Sequence, residues 1–132
     1  MSAAENKKLM GDIFYELSKG NDKPFIESMA EDMQWVWMGT GKWSKTFNGK
    51  SAILNDLWGA VKTTLTPQFK VVAHRFIAED DFVVVQATGY NTTPDGRAYN
   101  NNYCWVCRII DGKLKELSEY MDTDLVTETF RS

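Results

Sequence analysis

The stretch from residue 91 to residue 123 reads NTTPDGRAYNNNYCWVCRIIDGKLKELSEYMDT, and it decides the fold class. Two turn signals divide it, Pro94-Asp95-Gly96 and the hairpin dipeptide Asp111-Gly112. The runs beside these turns are rich in aromatic and branched residues with polar residues interleaved, a pattern typical of half-buried strands. We therefore predict two antiparallel strands, residues 98–110 and 113–121, joined at Asp111-Gly112.

One face of the first of these strands carries an unusual set of side chains. Its alternating positions are Tyr99, Asn101, Tyr103, Trp105 and Cys107. Aromatic residues alternating with an amide are uncommon in a purely apolar core, and they suit the wall of a ligand pocket. The stretch thus predicts a cavity more clearly than it identifies a substrate.

Length and charge narrow the class of protein. A chain of 132 residues is most simply one domain, residues 1–132, and is long enough to build its own core. The net charge of -3 and the lack of a basic face argue against nucleic-acid and anionic-membrane partners. No apolar run approaches the roughly 20 residues of a membrane span, and the N-terminus lacks the apolar segment of a secretory signal. We expect a cytoplasmic protein.

Neither the cysteines nor the histidine predict a metal or redox site. Cys104 and Cys107 lie three positions apart in a predicted strand, so they point to opposite faces and cannot bridge each other. With His74 as the single histidine, no cluster of metal ligands is evident. We expect two small apolar thiols, no metal and no cofactor.

Three helices and one strand precede the meander. The first helix has an apolar stripe from Leu9 to Leu17, with a capping box at Ser2 or a rival start at Asn6, and it ends at Gly20. Asp22 is predicted to cap a short second helix. A first strand at residues 33–38, a third helix at 53–65 and strands at 69–78 and 82–91 complete the pattern.

This order predicts an α+β domain. Helices come first, then one strand, another helix and a four-strand antiparallel meander. A long twisted antiparallel sheet wrapped around three helices would form a cone with a pocket at its open end.

Several motifs resemble a known family. Residues 14–22 (FYELSKGND) resemble the end of the first helix in the nuclear-transport-factor-two-like superfamily. Residues 101–103 (NNY), 111–114 (DGKL) and 119–123 (EYMDT) resemble its SnoaL-like branch, which is related to polyketide cyclases. The resemblance implies a cystatin-like α+β barrel, a cone that hosts isomerases, cyclases, epoxide hydrolases, dehydratases and simple binding proteins.

Comparison with these relatives points to Glu119. The catalytic base and oxyanion tyrosine of ketosteroid isomerases would fall near Trp37 and Ile13, so that route is not expected. SnoaL-like cyclases and limonene epoxide hydrolases use an acidic residue of the late strands, and Glu119 matches it most closely. The hydrolase also needs an Asp beside its Arg, and none lies two positions from Arg108.

Three residues are candidates for acid/base chemistry. Glu119 lies between Leu117 and Met121 and would have a raised pKa if it points inward, whereas an outward Glu119 would pair with Arg75 or Lys115. Asp122 is a second carboxylate, or else it ends the strand by binding backbone N–H groups. His74 could move a proton near neutral pH, or lie exposed on the sheet.

Six further residues are candidates for ligand contact. Asn101 and Tyr103 could orient a ligand carbonyl, or form a buried polar pair satisfied by the backbone. Trp35, Trp37 and Trp105, together with Tyr15, are candidate walls of the cavity, and aromatic residues of this kind are also ordinary core.

These observations support two functions and leave open whether the protein is an enzyme. The first is binding of a small, mostly apolar organic molecule, with cofactor-free acid/base chemistry of the isomerase, cyclase or dehydratase type. The alternative is a non-catalytic ligand-binding or dimeric assembly module. A homodimer is expected in either case, because Val83, Val85 and Val106 are assigned to an outer sheet face that needs cover.

Overall fold

The first helix begins and ends as predicted. The structure, a computed structural model, describes residues 1–66 and 68–130. Helix α1 (Ala3–Leu17) starts with a capping box, in which Ser2 and Glu5 exchange hydrogen bonds of 2.9 and 3.1 Å. Gly20 follows the helix at a φ of +81°, in the left-handed region that favours glycine.

The second helix is not capped in the predicted way. Helix α2 (Lys23–Ser28) follows Asp22, but the Asp22 carboxylate makes no cap hydrogen bond. It accepts instead from Trp58 Nε1 at 2.7 Å and Lys62 Nζ at 3.0 Å. Asn21 Oδ1 accepts from the backbone N–H of Lys23 at 3.2 Å. Asp22 therefore joins α2 to the third helix.

The third helix is one continuous run with a π-helical centre. It comprises α3 (Lys50–Ala52), a π-helical segment (Ile53–Trp58) and α4 (Gly59–Thr64). The Gly59 N–H donates to the carbonyl of Leu54, five residues earlier, which is the π-helical pattern. The wider turn buries both Leu57 and Trp58, whereas the sequence predicted a uniform helix over 53–65.

The main sheet of the described residues has six strands. The strands in this sheet are β1 (Met29–Trp37), β2 (Thr46–Asn48), β3 (Val71–Glu79), β4 (Phe82–Gly89), β7 (Asn102–Ile110) and β8 (Lys113–Tyr120). Across the sheet they lie in the order β2-β1-β8-β7-β4-β3. Strands β3, β4, β7 and β8 form the predicted antiparallel meander. Strand β1 pairs parallel to β8, so the sheet is mixed rather than wholly antiparallel.

The predicted strand over 98–110 is interrupted. Strand β6 (Ala98–Tyr99) pairs with β5 (Asn91–Thr92) in a separate hairpin, and β7 begins at Asn102. Asn101, in the break, is buried and its carbonyl accepts from the Gly89 N–H at 2.8 Å. After β8, helix α5 (Thr123–Thr129) closes the described part of the chain.

The strand register corrects the assignment of the two sheet faces. Val85 pairs with Trp105 and Val83 with Cys107, so both valines belong to the buried inner face and not to the outer face. Val106 does lie on the outer face, where it is only half-buried. Cys104 and Cys107 take opposite faces and both are free thiols, as predicted, but only Cys107 is buried, because Cys104 lies on the outer face.

The predicted α+β class is confirmed. Register shifts in three strand pairs mark irregularities that bend the sheet around the helices. The core lies between the helices and the inner sheet face, and its centre is aromatic, with Phe25 in contact with Trp35, Trp58 and Trp105 at ring-centroid distances of 5.4–5.5 Å. None of the helices within residues 1–66 and 68–130 is long and apolar enough to cross a membrane.

Candidate functional site

A carboxylate and two indoles form a row across the inner face of the sheet. Glu119 of β8 pairs with Trp37 of β1 on one side and with Trp105 of β7 on the other. Residues directly opposite each other in adjacent strands point to the same face. The three side chains are buried, with exposed fractions of 3% for Glu119, 5% for Trp37 and 2% for Trp105.

This row forms one wall of a mainly aromatic cavity. The cavity is lined by Trp35, Trp37, Trp58, Val61, Phe69, Tyr99, Tyr103, Trp105 and Glu119. Its free volume is about 10 Å³, on the scale of one water molecule. The predicted lining residues Trp35, Trp37, Tyr103 and Trp105 are thus brought together with Glu119.

Glu119 is buried, and no cation within residues 1–66 and 68–130 pairs with it. Its Oε1 accepts from Trp35 Nε1 at 2.8 Å. The two cations considered as outward partners are engaged elsewhere, since Arg75 binds Gln86 at 2.6 Å and Lys115 binds Asp32 at 2.7 Å. Glu119 therefore points inward.

The surroundings of Glu119 place its pKa near neutrality. Burial raises the pKa to about 7, against the smaller lowering effects of the Trp105 and Trp35 indole N–H groups. Near neutral pH the side chain is consequently divided between its acid and carboxylate forms. Such a group can both give and take a proton under the same conditions.

The indole N–H groups of the cavity fall into two classes. Trp35 donates to Glu119, and Trp58 donates to Asp22. Trp37 Nε1 and Trp105 Nε1 are buried without a hydrogen-bond partner among the described residues. Trp105 lies close enough to Glu119 to affect its pKa, but it does not reach hydrogen-bond geometry. A buried donor left unpaired costs about 1–3 kcal/mol, so an acceptor that bound the Trp37 and Trp105 N–H groups would remove this cost.

Two phenols stand at the side of the cavity. Burial raises the pKa of both Tyr99 and Tyr103, so their hydroxyls remain protonated at neutral pH. The Tyr103 hydroxyl interacts with that of Tyr99, which also accepts from Asn101 Nδ2 at 3.1 Å. These hydroxyls are largely engaged with each other and with Asn101.

Asn101 and Asp122 form a structural clamp beside the cavity. Asn101 Nδ2 donates to the Asp122 carbonyl at 3.1 Å, and Asn101 Oδ1 accepts from the Asp122 N–H at 3.0 Å. The exposed Asp122 carboxylate caps α5 by accepting from the N–H groups of Asp124 and Leu125. Neither residue lines the cavity, and their contacts agree with the structural alternatives considered for both.

Tyr15 lies away from the cavity, contrary to the wall position predicted for it, and His74 takes the alternative considered for it, exposed on the sheet. His74 is exposed on β3, where its Nε2 lies 2.6 Å from the Thr88 hydroxyl. A register shift between Ala73 and Arg75 changes the alternation of this strand. Tyr15 is 64% exposed, because it lies about 100° around α1 from the buried Phe14.

Four lining residues were not among the predicted site residues. Tyr99 shares the alternating face of Asn101 and Tyr103, so its pattern could have placed it there. Trp58, Val61 and Phe69 come from the third helix and the segment after it, and only the tertiary packing brings them opposite Glu119.

An open groove lies near the cavity. It measures about 720 Å³ and is lined by Thr66, Gln68, Lys70, Tyr90, Asn91, Thr92, Ala98 and Asn100. Its residues alternate with the cavity residues Phe69 and Tyr99 along the chain, so the segments 68–70 and 98–100 contribute to both spaces.

Residues 12–117 match the sequence model of the SnoaL-like domain. The chain belongs to the SnoaL-like domain family. The match begins within α1 and runs through α2, the third helix and the strands as far as Leu117 of β8, so Glu119 lies just beyond it. No curated protein matches this SnoaL-like domain in sequence.

Solved structures share the fold along nearly the whole chain. Bal32a, from a soil-derived mobile gene cassette, is 20% identical with a TM-score of 0.82, and the match covers 98% of each chain. An NTF2-like protein of Burkholderia thailandensis E264 is 14% identical with a TM-score of 0.80, over 100% of both chains. TerC, co-crystallised with polyporic acid, is 22% identical with a TM-score of 0.77, over 96% of this SnoaL-like domain and 98% of TerC.

Proposed function

We propose that this SnoaL-like domain binds a small, mostly apolar organic molecule with a carbonyl group in the cavity, and that Glu119 moves a proton to or from it. One observation carries the proposal: a carboxylate with a pKa of about 7 is buried in an aromatic cavity, and none of the described residues provides a cation for it. A charged group in such a place lowers the stability of the fold. Ionisable groups with strongly shifted pKa values cluster at functional sites, which favours a functional role for Glu119.

The proposed step is a proton transfer that needs no cofactor. The Glu119 carboxylate takes a proton from the carbon next to the carbonyl, and the electron pair of that C–H bond forms a carbon–carbon double bond. The carbonyl oxygen then carries the negative charge. If a second carbon–carbon double bond is conjugated with the enolate, Glu119 returns the proton to the far carbon of that system, which shifts the double bond and completes an isomerisation. If the enolate carbon instead attacks a second carbonyl carbon of the same molecule, the new carbon–carbon bond closes a ring, and Glu119 returns its proton to the resulting alkoxide oxygen.

The fold is compatible with small-molecule binding. TerC, which shares this fold, has been co-crystallised with polyporic acid. The aromatic lining of the present cavity offers flat apolar surfaces of the kind that organic rings contact.

A ligand larger than water requires lining side chains to move. Phe69 lies in the irregular segment between α4 and β3, and Tyr99 lies in a strand of two residues. Segments with so little regular hydrogen bonding open more readily than the central strands. We therefore propose that the ligand reaches the cavity from the open groove, between residues 68–70 and 98–100.

The small free volume also favours a second candidate function. A cavity of about 10 Å³ is nearly filled by its own side chains. In that case Glu119 would be a buried acid without a substrate, and the domain would act as a non-catalytic assembly module.

A thermal-shift screen separates the two candidates. The protein is heated with polycyclic ketones, terpenoid epoxides, aromatic acids and steroids. A ligand at a hundred times its Kd should stabilise the native state by roughly 2.7 kcal/mol. We expect ketones to raise the Tm of the wild type and to raise that of Glu119→Gln less. Glu116→Gln is the control, because the Glu116 side chain is 46% exposed on the same strand, and its Tm should rise as in the wild type. No shift with any class would favour the assembly module.

A further inference from the structure

The five tryptophans of the chain differ in whether their indole N–H is used by the protein. Three of them donate within the fold: Trp35 to Glu119, Trp43 to the Phe130 carbonyl at 3.1 Å, and Trp58 to Asp22. The other two, Trp37 and Trp105, are buried with the N–H unpaired among the described residues. Both of these line the cavity that holds Glu119.

The two unpaired donors have a defined relation to the carboxylate. Trp37 and Trp105 are the register partners of Glu119 on its two sides, one on β1 and one on β7. Neighbouring strands lie about 4.8 Å apart, so the three side chains start from backbone positions within roughly 10 Å of one another. An oxygen atom in front of Glu119 would therefore lie between two indole side chains.

The other donors of the cavity are less available for a ligand. Trp35 is held by Glu119, and the Tyr99 and Tyr103 hydroxyls interact with each other. The Asn101 amide donates to Tyr99 and to the Asp122 carbonyl. The Trp37 N–H has no acceptor among the described residues, and the Trp105 N–H lies near the Glu119 carboxylate without hydrogen-bond geometry, so a ligand oxygen between them would satisfy both donors.

We infer that Trp37 and Trp105 bind the ligand's oxygen through their indole N–H groups, so that the site selects a neutral carbonyl compound over a hydrocarbon of the same shape. This inference rests on the proposed function and adds to it the group that is recognised. When Glu119 takes the neighbouring C–H proton, the charge develops on this oxygen, and the two neutral donors stabilise it without exchanging a proton.

The wild-type protein allows a direct test by NMR. Its indole N–H groups are labelled with ¹⁵N, and the protein is titrated with 2-tetralone or with tetralin, which has the same bicyclic frame without the oxygen. We expect 2-tetralone to move the Trp37 and Trp105 indole signals downfield and to leave Trp43 in place, and we expect tetralin to cause no downfield shift. Saturation by 2-tetralone without a shift of either signal overturns the inference.

Matched variants test the same point by affinity. Trp37→Phe and Trp105→Phe each remove an unpaired N–H, while Trp58→Phe removes a paired N–H from the same cavity. We expect the preference for 2-tetralone over tetralin, measured as the ratio of their Kd values, to fall about tenfold in the first two variants. Trp58→Phe should change both Kd values together and keep their ratio.

The outcomes separate this inference from the proposed function. If 2-tetralone does not bind the wild type, the proposed function fails and this inference with it. If 2-tetralone binds, and Glu119→Gln abolishes the exchange of its protons next to the carbonyl for deuterium in D₂O, the proposed function stands. An equal Kd ratio in all three Trp variants would then refute the donor assignment alone.

Discussion

Glu119 combines three properties that a purely structural carboxylate rarely shows. It is buried, it has no cationic partner among the described residues, and its hydrogen bond comes from the Trp35 indole N–H of the cavity wall. A glutamine or a leucine would fill the same position without the cost of a buried ionisable group. The side chain therefore lowers stability at pH values where it is charged, and this consequence can be measured.

The raised pKa of Glu119 predicts how stability depends on pH. The pKa rises from an ordinary value of 4.5 to about 7 on folding, so the folded state favours the protonated form. The contribution of this pKa difference to the free energy of unfolding is fully present below pH 4.5 and is lost as the pH rises through about 7. Its total is on the order of 3 kcal/mol. Urea unfolding of the wild type and Glu119→Gln at pH 4, 5, 6, 7 and 8 should show the wild type losing free energy relative to the variant. Parallel profiles would contradict the raised pKa.

The sequence was informative about single residues where the alternation of a strand was regular. A period of two placed Tyr103 and Trp105 on one shared face and Glu119 on the face of Leu117, but it left open whether Glu119 points inward. Regular alternation does not continue along β3, because a register shift between Ala73 and Arg75 changes the face of the residues that follow. The absence of partners for the Trp37 and Trp105 N–H groups depends on three strands at once, so no local pattern could predict it.

At the scale of elements, Asn101 connects the strand break to the end of the sheet. Asn101→Ala removes hydrogen bonds to the Tyr99 hydroxyl and to both backbone groups of Asp122. We expect a loss of roughly 3 kcal/mol in the free energy of unfolding, since each such bond contributes about 1 kcal/mol. Asn102→Ala is the control, because Asn102 is exposed and makes one side-chain hydrogen bond, to Thr88. Equal losses of unfolding free energy in the two variants would contradict the structural role assigned to Asn101.

Element boundaries were predictable where local chemistry fixes them. The capping box of α1 and the turn at Asp111, which has a φ of +51°, belong to this class. The parallel pairing of β1 with β8 and the π-helical segment were not predictable. Both depend on how distant parts of the chain pack, and neither leaves a signal in nearby residues.

For the whole molecule, we propose a dimer through the outer face of the sheet. Val36, Val84 and Val106 form a half-buried apolar row on that face, in register with Ser118. Sedimentation equilibrium should give twice the chain mass of 15.1 kDa for the wild type. Val106→Glu should shift the protein to monomer, whereas Thr92→Glu, at an exposed hairpin position, should not. A monomeric wild type would contradict the dimer.

The central claim is that Glu119 transfers protons inside the cavity, and hydrogen–deuterium exchange of 2-tetralone in D₂O tests it most directly. The wild type and Glu116→Gln should exchange the protons next to the carbonyl faster than buffer alone. This rate should rise with pH to a midpoint near 7, as the Glu119 carboxylate forms. Glu119→Gln should return the rate to that of buffer. Exchange by Glu119→Gln at the wild-type rate, or no exchange above buffer in the wild type at saturating 2-tetralone, would contradict the account.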